Sequence, residues 1–250
     1  MALKDIRQYI SALDKHGQVK KIKKEVNWNL EAGAIMRLVC EKGLPSPFFQ
    51  KIKGYSPEYT MFGSPISSAK KLAIALGLKP ETSIRELSQL YLQRKDNFIK
   101  PVLISKNSAP CKENIHLGSD INVLEFPAPM LHDGDGGRYL CTWHSSITKD
   151  PDTGWVNYGM YRAMIHTRNT MGGLIEPSQH IGNHFYRKYK ARKQSMPFAI
   201  AIGPDPITGF ISSARVGTGI SEADVIGAVR GEPLEIVKCE TVDLEVPAHA

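Results

Sequence analysis

The sequence predicts an α+β fold made of two parts, residues 1–100 and residues 101–250. Apolar side chains in the first part recur at helical spacing, as at Leu3, Ile6 and Ile10. In the second part, short runs rich in β-branched and aromatic residues alternate with proline and glycine, which is the pattern of strands and turns. Many strands with few helices favour a barrel or a sandwich for this second part.

The helices of the first part have identifiable ends. Gly17 stands where the first helix should stop, because glycine readily adopts the left-handed conformation of a helix end. Ser83 and Glu86 have the spacing of a capping box. The turn at residues 54–57 should pair the two strands beside it. We therefore expect helices over 3–16, 30–42, 67–76 and onward from Ser83, and strands over 19–26, 48–52 and 59–62.

The second part contains two helix signals among its strands. Ser178 and Ser221 are suited to cap the starts of helices, and Gly231 is suited to end the second one. We expect these helices over 178–194 and 221–230. Strands are expected over 102–105, 139–148, 155–167, 198–202, 210–213 and 234–246.

Length and composition are those of an ordinary globular protein, with 250 residues, of which 42% are hydrophobic and 23% charged. The chain has no run of about 18 apolar residues, so no membrane span is predicted. Its N-terminus lacks the apolar core of a signal peptide, and we expect a cytoplasmic protein. The four cysteines, Cys40, Cys111, Cys141 and Cys239, form no CxxC pair, which argues against a zinc finger or a disulfide framework.

The formal net charge of +7 raises the question of nucleic-acid binding. The basic residues are concentrated at 20–24 and 187–193. The first group alternates with apolar residues, like the solvated face of a strand, and the second falls late in a predicted helix, where cations offset the helix dipole. Solvated faces explain both groups, so we expect no nucleic-acid partner. A locally positive site for an anionic cofactor or a carboxylate substrate remains compatible with this charge.

The segment from Trp155 to Arg162 is the first candidate site. It contains an amide, Asn157, and a guanidinium, Arg162, whose side chains would point to opposite faces of a regular strand. Both can reach one ligand only if the strand bends, and Gly159 is the natural place for that bend. The alternative is a plain hairpin strand with an exposed arginine.

The second candidate site is the predicted helix start at Ser178. Free backbone N–H groups and the helix dipole make such an end suited to a phosphate, and His180 could bind the phosphate or a metal there. His180 and His184 share one helix face, but the glutamate of an HExxH zinc motif is absent. The alternative is a capped helix with surface histidines.

Small residues at 209–214 and an acidic helix start at Glu222 form the third candidate site. Small side chains let backbone approach a flat cofactor or a metal closely. A carboxylate at Glu222 suits Mg²⁺ or Mn²⁺, and a nearby histidine is more compatible with Mn²⁺. The alternative is a first-turn glutamate that only complements the helix dipole.

The order and spacing of these segments resemble the UbiD family of decarboxylases, which use prenylated FMN. The resemblance spans essentially the whole chain. The residues that carry it are Trp155-Val156-Asn157 with Arg162, Gln179-His180, Ser212-Ser213, Ser221-Glu222 before Arg230-Gly231, Lys4-Asp5-Ile6-Arg7, Asn29-Leu30-Glu31, Lys51-Ile52-Lys53-Gly54-Tyr55, Val237-Lys238-Cys239 and Leu244-Glu245-Val246-Pro247-Ala248.

The resemblance implies a role for each matching residue. A Mn²⁺ ion that bridges to the cofactor phosphate would be bound by Asn157, His180 and Glu222. A K⁺ ion would be bound by backbone or side-chain oxygens at Trp155, Ile211, Ser212 and Ala214. The prenylated FMN itself would be lined by Met160, Tyr161, Arg162, Gln179, Ser212 and Ser213. Arg162 would also act at the reacting centre, within a Glu-Arg-Glu network.

The resemblance also implies the reaction and the partners. The reaction is the reversible decarboxylation of an aromatic, heteroaromatic or α,β-unsaturated carboxylic acid, with a flavin prenyltransferase as supplier of the cofactor and a homo-oligomer as the assembled form. The second part would be a split β-barrel of the FMN-binding type.

The chain departs from the family pattern at its C-terminal end. We expect the family's C-terminal α/β domain to be absent from this chain, and the resemblance implies that the glutamates of the network would follow Pro247-Ala248 in a segment beyond Ala250. We therefore keep as an alternative a non-catalytic or partner-dependent subunit that binds flavin and metal.

Overall fold

The computed structural model describes residues 2–250 and confirms the α+β class. Within these residues there are seven α-helices. They are α1 (Ile6–Lys15), α2 (Glu31–Lys42), α3 (Ala69–Ala75), α4 (Ile84–Arg94), α5 (His180–His184), α6 (Pro206–Ser212) and α7 (Glu222–Arg230). Helix α5 continues as a π-helical turn, Phe185–Tyr189, and a 3₁₀ turn, Lys190–Arg192.

The described residues form twelve strands in four three-stranded sheets. The strands are β1 (Val19–Ile22), β2 (Ser46–Phe49), β3 (Met61–Phe62), β4 (Val102–Leu103), β5 (Tyr139–Cys141), β6 (His144–Lys149), β7 (Val156–Gly159), β8 (Ala163–Thr167), β9 (Thr170–Gly173), β10 (Ala199–Ile202), β11 (Glu235–Lys238) and β12 (Glu245–Pro247). The sheet orders are β1-β2-β3, β10-β6-β7, β12-β11-β4 and β5-β8-β9. No sheet closes into a barrel within residues 2–250, so the split barrel stays a prediction.

Helix capping follows the sequence signals closely in the first part. Asp5 caps α1 by accepting a hydrogen bond from the Gln8 backbone N–H, so the helix begins at residue 6 rather than 3. The predicted capping box of Ser83 and Glu86 is present at α4. Strands β2 and β3 pair antiparallel, Phe48 opposite Phe62, as the turn between them predicted.

The sheet β10-β6-β7 separates the main hydrophobic core, on one face, from a group of polar side chains on the other. Ile147 pairs with Tyr158 across β6 and β7, and both side chains belong to the main hydrophobic core with residues of α1, α6 and α7. The next pair, Thr148 opposite Asn157, must point to the other face, since side chains alternate along a strand. That other face is the one on which the candidate site lies.

The prediction of a strand over 210–213 was wrong, because this segment ends helix α6. Asp205 accepts hydrogen bonds from the backbone N–H groups of Ile207 and Thr208, both 3.1 Å long, and Pro206 occupies the first helical position. Proline is tolerated there because that N–H would have no partner within the helix. The apolar residues that suggested a strand instead lie on the buried face of a helix, with Ile207 and Ile211 four apart in the core.

Other strand and helix boundaries differ from the predicted ones, because two segments that were each predicted as one strand form two strands. The run 139–148 is split between β5 and β6, which lie in different sheets, and the run 234–246 is an antiparallel hairpin of β11 and β12. The helix predicted from Ser178 begins at His180, with Gln179 as its N-cap residue. Ser221 does occupy the N-cap position of α7, but its side chain makes no capping hydrogen bond.

Among residues 2–250, no helix has both the length and the apolar character needed to cross a bilayer.

Candidate functional site

A compact polar cluster lies on the site face of the central sheet, beneath α5. Asn157 and Thr148 are neighbours on adjacent strands, and the Asn157 Nδ2 atom lies 3.5 Å from the Thr148 hydroxyl oxygen. The same hydroxyl lies 2.9 Å from the Nδ1 atom of His184 on α5. All three side chains are fully buried. The β6–β7 register therefore places Asn157, and short α5 covers it.

His180 and Glu222, 42 residues apart in sequence, meet beside this cluster. The Nδ1 atom of His180 lies 3.3 Å from the Oε1 atom of Glu222, whose other oxygen accepts a 2.8 Å hydrogen bond from the Tyr158 backbone N–H. Glu222 is only 3% exposed, and within residues 2–250 no lysine or arginine pairs with it. A buried carboxylate requires compensation by donors or by a cation, so this pair suits a metal ion.

Trp155 connects the two histidines of α5. Its indole ring contacts the rings of both His180 and His184 edge-on, each with a centroid distance of 4.8 Å. Its indole N–H donates to the Ile220 backbone oxygen at 3.0 Å. Trp155 therefore holds the start of α5 against the segment that leads into α7.

Strand β7 ends at Gly159, where the sequence predicted a bend, and residues 160–162 lie between β7 and β8. This break lets the Tyr161 hydroxyl approach Asn157, 3.4 Å from Nδ2 and 3.5 Å from Oδ1. The Tyr161 ring covers Gly159 so closely that a Cβ there would lie 2.3 Å from a ring carbon. Burial raises the pKa of Tyr161, so the hydroxyl stays protonated at neutral pH.

Arg162 and its neighbours lie at the outer edge of the site. The Arg162 side chain is exposed, and its guanidinium forms no hydrogen bond or ion pair with any other residue in the range 2–250. Met160 and Gln179 are half-buried, and the Gln179 side chain accepts from the Glu176 backbone N–H. The structure therefore leaves Arg162 available to an anion outside the chain.

The end of α6 reaches the central sheet from its core side. The Ser212 and Ser145 hydroxyl oxygens lie 2.8 Å apart in a buried contact, whereas Ser213 is exposed and donates to the Phe210 backbone oxygen. Ile211 is a core residue, and Ala214 donates its N–H to the Ile211 backbone oxygen. This group thus lies near β6 but makes no contact with His180 among the described hydrogen bonds.

Sequence reasoning missed the polar residues of β6. His144, Ser146 and Thr148 alternate along the strand, so they share the site face with Asn157, and all three are fully buried. The His144 Nε2 atom lies 3.0 Å from the Tyr161 backbone oxygen, and burial lowers the pKa of His144 to about 4. The available signal was three polar residues at alternate positions of a predicted strand. Histidine, serine and threonine are seldom fully buried, so their burial is informative.

His184 is not a surface histidine, which was the sequence-based alternative to a ligand-binding histidine. It is fully buried, and burial lowers its pKa to about 4, so the ring is neutral at physiological pH. Its Nδ1 atom faces Thr148 rather than Glu222. Among residues 2–250, no three His, Cys, Asp or Glu side chains form a group suited to a metal, so a metal here would require the Asn157 amide as third ligand.

Two family models together match most of the chain. The model of the 3-octaprenyl-4-hydroxybenzoate carboxy-lyase N-terminal domain matches residues 10–91, and that of the Rift-related domain of the same enzymes matches residues 102–250. The chain belongs to the UbiD family.

Several curated relatives of the chain are named as decarboxylases. Ferulic acid decarboxylase 1 of Saccharomyces cerevisiae is 35% identical over 98% of this chain and 50% of its own length. Pyrrole-2-carboxylic acid decarboxylase of Pseudomonas aeruginosa is 32% identical over 98% of this chain and 50% of its own length. The chain therefore spans about half the length of these relatives.

Solved structures show the same fold. The closed form of vanillic acid decarboxylase from Sedimentibacter hydroxybenzoicus has a TM-score of 0.94 and 33% identity, covering 100% of this chain and 53% of the other. The UbiD-class enzyme HmfF from Pelotomaculum thermopropionicum, in complex with FMN, has a TM-score of 0.88 and 30% identity, covering 98% of this chain and 53% of the other.

Proposed function

We propose that this chain contributes the cofactor site of a prenylated-FMN-dependent reversible decarboxylase. The substrate class is an aromatic, heteroaromatic or α,β-unsaturated carboxylic acid. The observation that carries the proposal is the contact of half-buried His180 with buried Glu222, 3.3 Å apart, where the backbone N–H of Tyr158, the residue after Asn157, donates to Glu222. The relatives named for ferulic acid, pyrrole-2-carboxylic acid and vanillic acid support this substrate class.

The donor set at this pair fits a Mn²⁺ ion. Glu222 would supply a carboxylate oxygen, Asn157 an amide oxygen and His180 an imidazole nitrogen, a mixture suited to Mn²⁺. The buried Glu222 carboxylate has no lysine or arginine partner among residues 2–250, so a cation would also offset its charge.

The surroundings of Asn157 fit a phosphate and a flat ring. The helix start at Gln179–His180 has free backbone N–H groups that would favour a phosphate there, and HmfF is a relative whose structures contain FMN or prenylated FMN. On the site face, Ser146 pairs with Gly159, and the Tyr161 ring, a proposed flavin contact, packs over that glycine. Met160, Tyr161, Arg162, Gln179, Ser212 and Ser213 are the proposed flavin contacts.

A K⁺ site at the end of α6 completes the proposed cofactor site. The proposed ligands are oxygens at Trp155, Ile211, Ser212 and Ala214. What supports it is that a helix C-terminus presents carbonyl oxygens that lack partners within the helix and carries partial negative charge.

When bound, prenylated FMN supplies an electrophilic carbon for the substrate and an electron sink as carbon dioxide leaves. The residues of this chain bind and orient. The Arg162 guanidinium, exposed and without a partner among residues 2–250, would bind a carboxylate through two parallel hydrogen bonds. The buried polar face of β6 and β7 would keep water from the reacting centre.

Several wider features belong to the same proposal. A flavin prenyltransferase would supply the cofactor, the assembled form would be a homo-oligomer, and the protein would act in the cytoplasm. Because the chain spans about half the length of its relatives, a second candidate is a flavin- and metal-binding subunit that depends on a partner chain for turnover.

The test is to produce the chain together with a flavin prenyltransferase, supply Mn²⁺ and K⁺, and record its native mass and absorption spectrum. We expect a bound flavin carrying the additional prenyl mass and one Mn²⁺ per chain. Asn157→Ala and Glu222→Ala should lose the metal and retain less flavin. His116→Ala, which removes an exposed histidine outside the site, is the matched control.

Flavin and metal retention by Asn157→Ala equal to that of the wild type would contradict the assigned site. Turnover separates the two candidates. Release of carbon dioxide from an unsaturated aromatic acid by this chain alone favours the enzyme, whereas cofactor binding without turnover favours the partner-dependent subunit.

A further inference from the structure

The Asn157 amide has a neighbour that could decide which of its two atoms faces the metal. Thr148 lies directly opposite Asn157 in the β6–β7 register, and its hydroxyl oxygen is 3.5 Å from Asn157 Nδ2. The same oxygen is 2.9 Å from His184 Nδ1. Asn157, Thr148 and His184 are each 0% exposed, so water does not compete for these contacts.

These contacts acquire a direction once the His184 ring proton is placed on Nε2, the tautomer that leaves Nδ1 free to accept. A threonine hydroxyl has one proton to donate and two lone pairs that accept. If that proton goes to His184 Nδ1, the lone pairs of Thr148 can accept only from a donor, and the Asn157 NH₂ group is the donor in reach. A flipped amide would instead place Oδ1 of Asn157 against a hydroxyl whose proton is already used, which is unfavourable in a dry site.

The Tyr161 hydroxyl lies beside both atoms of the amide, 3.4 Å from Nδ2 and 3.5 Å from Oδ1 of Asn157, so this contact does not select one orientation. Nδ2 is the atom placed toward Thr148, which leaves Oδ1 as the amide atom turned away from it. A metal ion binds an amide through its oxygen, because the nitrogen lone pair is delocalised into the carbonyl. An amide whose NH₂ group is held at Thr148 therefore keeps its oxygen available as a ligand atom.

We propose that Thr148, held by His184, is a positioning residue that turns the oxygen of Asn157 toward the metal. The inference rests on the proposed function, since it assumes that Asn157 binds Mn²⁺. Trp155 supports the arrangement by packing against His184, with a ring distance of 4.8 Å. Outer contacts of this kind orient ligands, and their loss typically weakens metal binding.

The experiment uses the 250-residue chain and has two readouts. The first is solvent exchange of the Asn157 side-chain amide by ¹⁵N NMR, with the resonance assigned by its loss in Asn157→Ala. The second is the Mn²⁺ dissociation constant by calorimetry without flavin. Thr148→Val removes the hydroxyl at constant shape, Thr148→Ser retains it, and Thr167→Val is a matched control in a distant strand. Thermal unfolding establishes that each variant folds.

In Thr148→Val we expect faster exchange of the Asn157 amide and Mn²⁺ binding weakened about tenfold. Thr148→Ser should restore both readouts, which a purely structural role of the methyl group would not explain. Unchanged exchange and affinity in Thr148→Val, with Mn²⁺ binding lost in Asn157→Ala, would overturn this inference and leave the proposed function standing. Absence of Mn²⁺ binding by the wild-type chain would overturn the proposed metal site and this role with it.

Discussion

At the scale of single residues, the molecule buries polar side chains where a simple core would have apolar ones. His144, Ser146 and Thr148 are fully buried on one face of β6, and Asn157 joins them from β7. The Nδ1 atom of His144 and the hydroxyl of Ser146 have no hydrogen-bond partner among the described residues. Each unpartnered buried group costs roughly 1–3 kcal/mol of stability, so these side chains mark a site that a ligand would complete.

His144 should make the stability of the protein dependent on pH. Its folded pKa is lowered to about 4 by burial, against an unfolded value near 6.5. Between these values the unfolded chain takes up a proton that the folded chain does not, so the free energy of unfolding decreases as pH falls. We expect His144→Gln to reduce the decrease between pH 7 and pH 5 by about 2 kcal/mol.

The measurement is urea unfolding at both pH values in the presence of EDTA, so that metal binding does not contribute. Glutamine retains an N–H donor for the Tyr161 backbone oxygen, so the substitution removes the titration of the ring without removing that hydrogen bond. His116→Gln, at an exposed position, should leave the pH dependence unchanged. Identical pH dependence in His144→Gln and the wild type would show that His144 does not titrate as its burial predicts.

At the scale of elements, α6 is a helix where the apolar run at 210–213 predicted a strand, and Asp205 at its start makes several contacts. The Asp205 carboxylate caps α6, accepts from the Thr208 hydroxyl, and pairs at 3.1 Å with Arg230 at the end of α7. Both partners are at most 5% exposed. This ion pair joins the start of α6 to the end of α7, and the other end of α6 places Ser212 against Ser145 of β6.

Removing one partner of this pair should be strongly destabilising. Asp205→Ala leaves the buried Arg230 guanidinium with only its longer, 3.4 Å contact to the partly exposed Glu232, and we expect the free energy of unfolding to fall by about 3–5 kcal/mol. Arg230→Met alone should also destabilise, whereas the double variant should lose less than the sum, because neither charge is then left unpaired. Urea unfolding of the four proteins checks this, and strict additivity would show that the two residues act independently.

At the scale of the whole molecule, the two parts predicted from the sequence are in close contact. The Leu30 backbone N–H donates to the Met130 oxygen at 2.9 Å, and a Cβ at Gly33 would lie 2.2 Å from the Leu131 oxygen. Helix α2 of the first part therefore lies directly against backbone of the second. The division at residue 100 remains a prediction.

Arg138 is the side chain that most extensively links the two parts. Its guanidinium lies 4.3 Å from the Trp28 ring centroid and donates to the Tyr55 hydroxyl and to the backbone oxygens of Ala128 and Phe126. We expect Arg138→Ala to lower the free energy of unfolding by roughly 2–3 kcal/mol, because bonds to a charged donor are lost. Arg138→Lys should recover only part of this, since lysine lacks the planar fork.

Calorimetry is the measurement for Arg138, because it also reports on cooperativity. In Arg138→Ala we expect the calorimetric enthalpy to exceed the van't Hoff enthalpy, as the two parts begin to unfold separately. A single transition at the wild-type temperature would show that Arg138 does not couple them.

What the sequence by itself determined was local. Helical spacing, the capping box at Ser83 and Glu86, and glycine at Gly159 specify their structures through neighbours within a few residues, so they could be predicted. The order of motifs was also sufficient to identify the family.

Only the tertiary structure decided which residues meet. Thr148 became a neighbour of Asn157 through strand register, His180 met Glu222 across 42 residues, and Ser212 lies at the end of a helix that Asp205 caps at its start. These contacts depend on long-range packing in which a shift of one residue would turn every side chain to the other face. The sequence pattern constrains that register but does not give the distances between side chains far apart in the chain, so the geometry of the site came only from the tertiary structure.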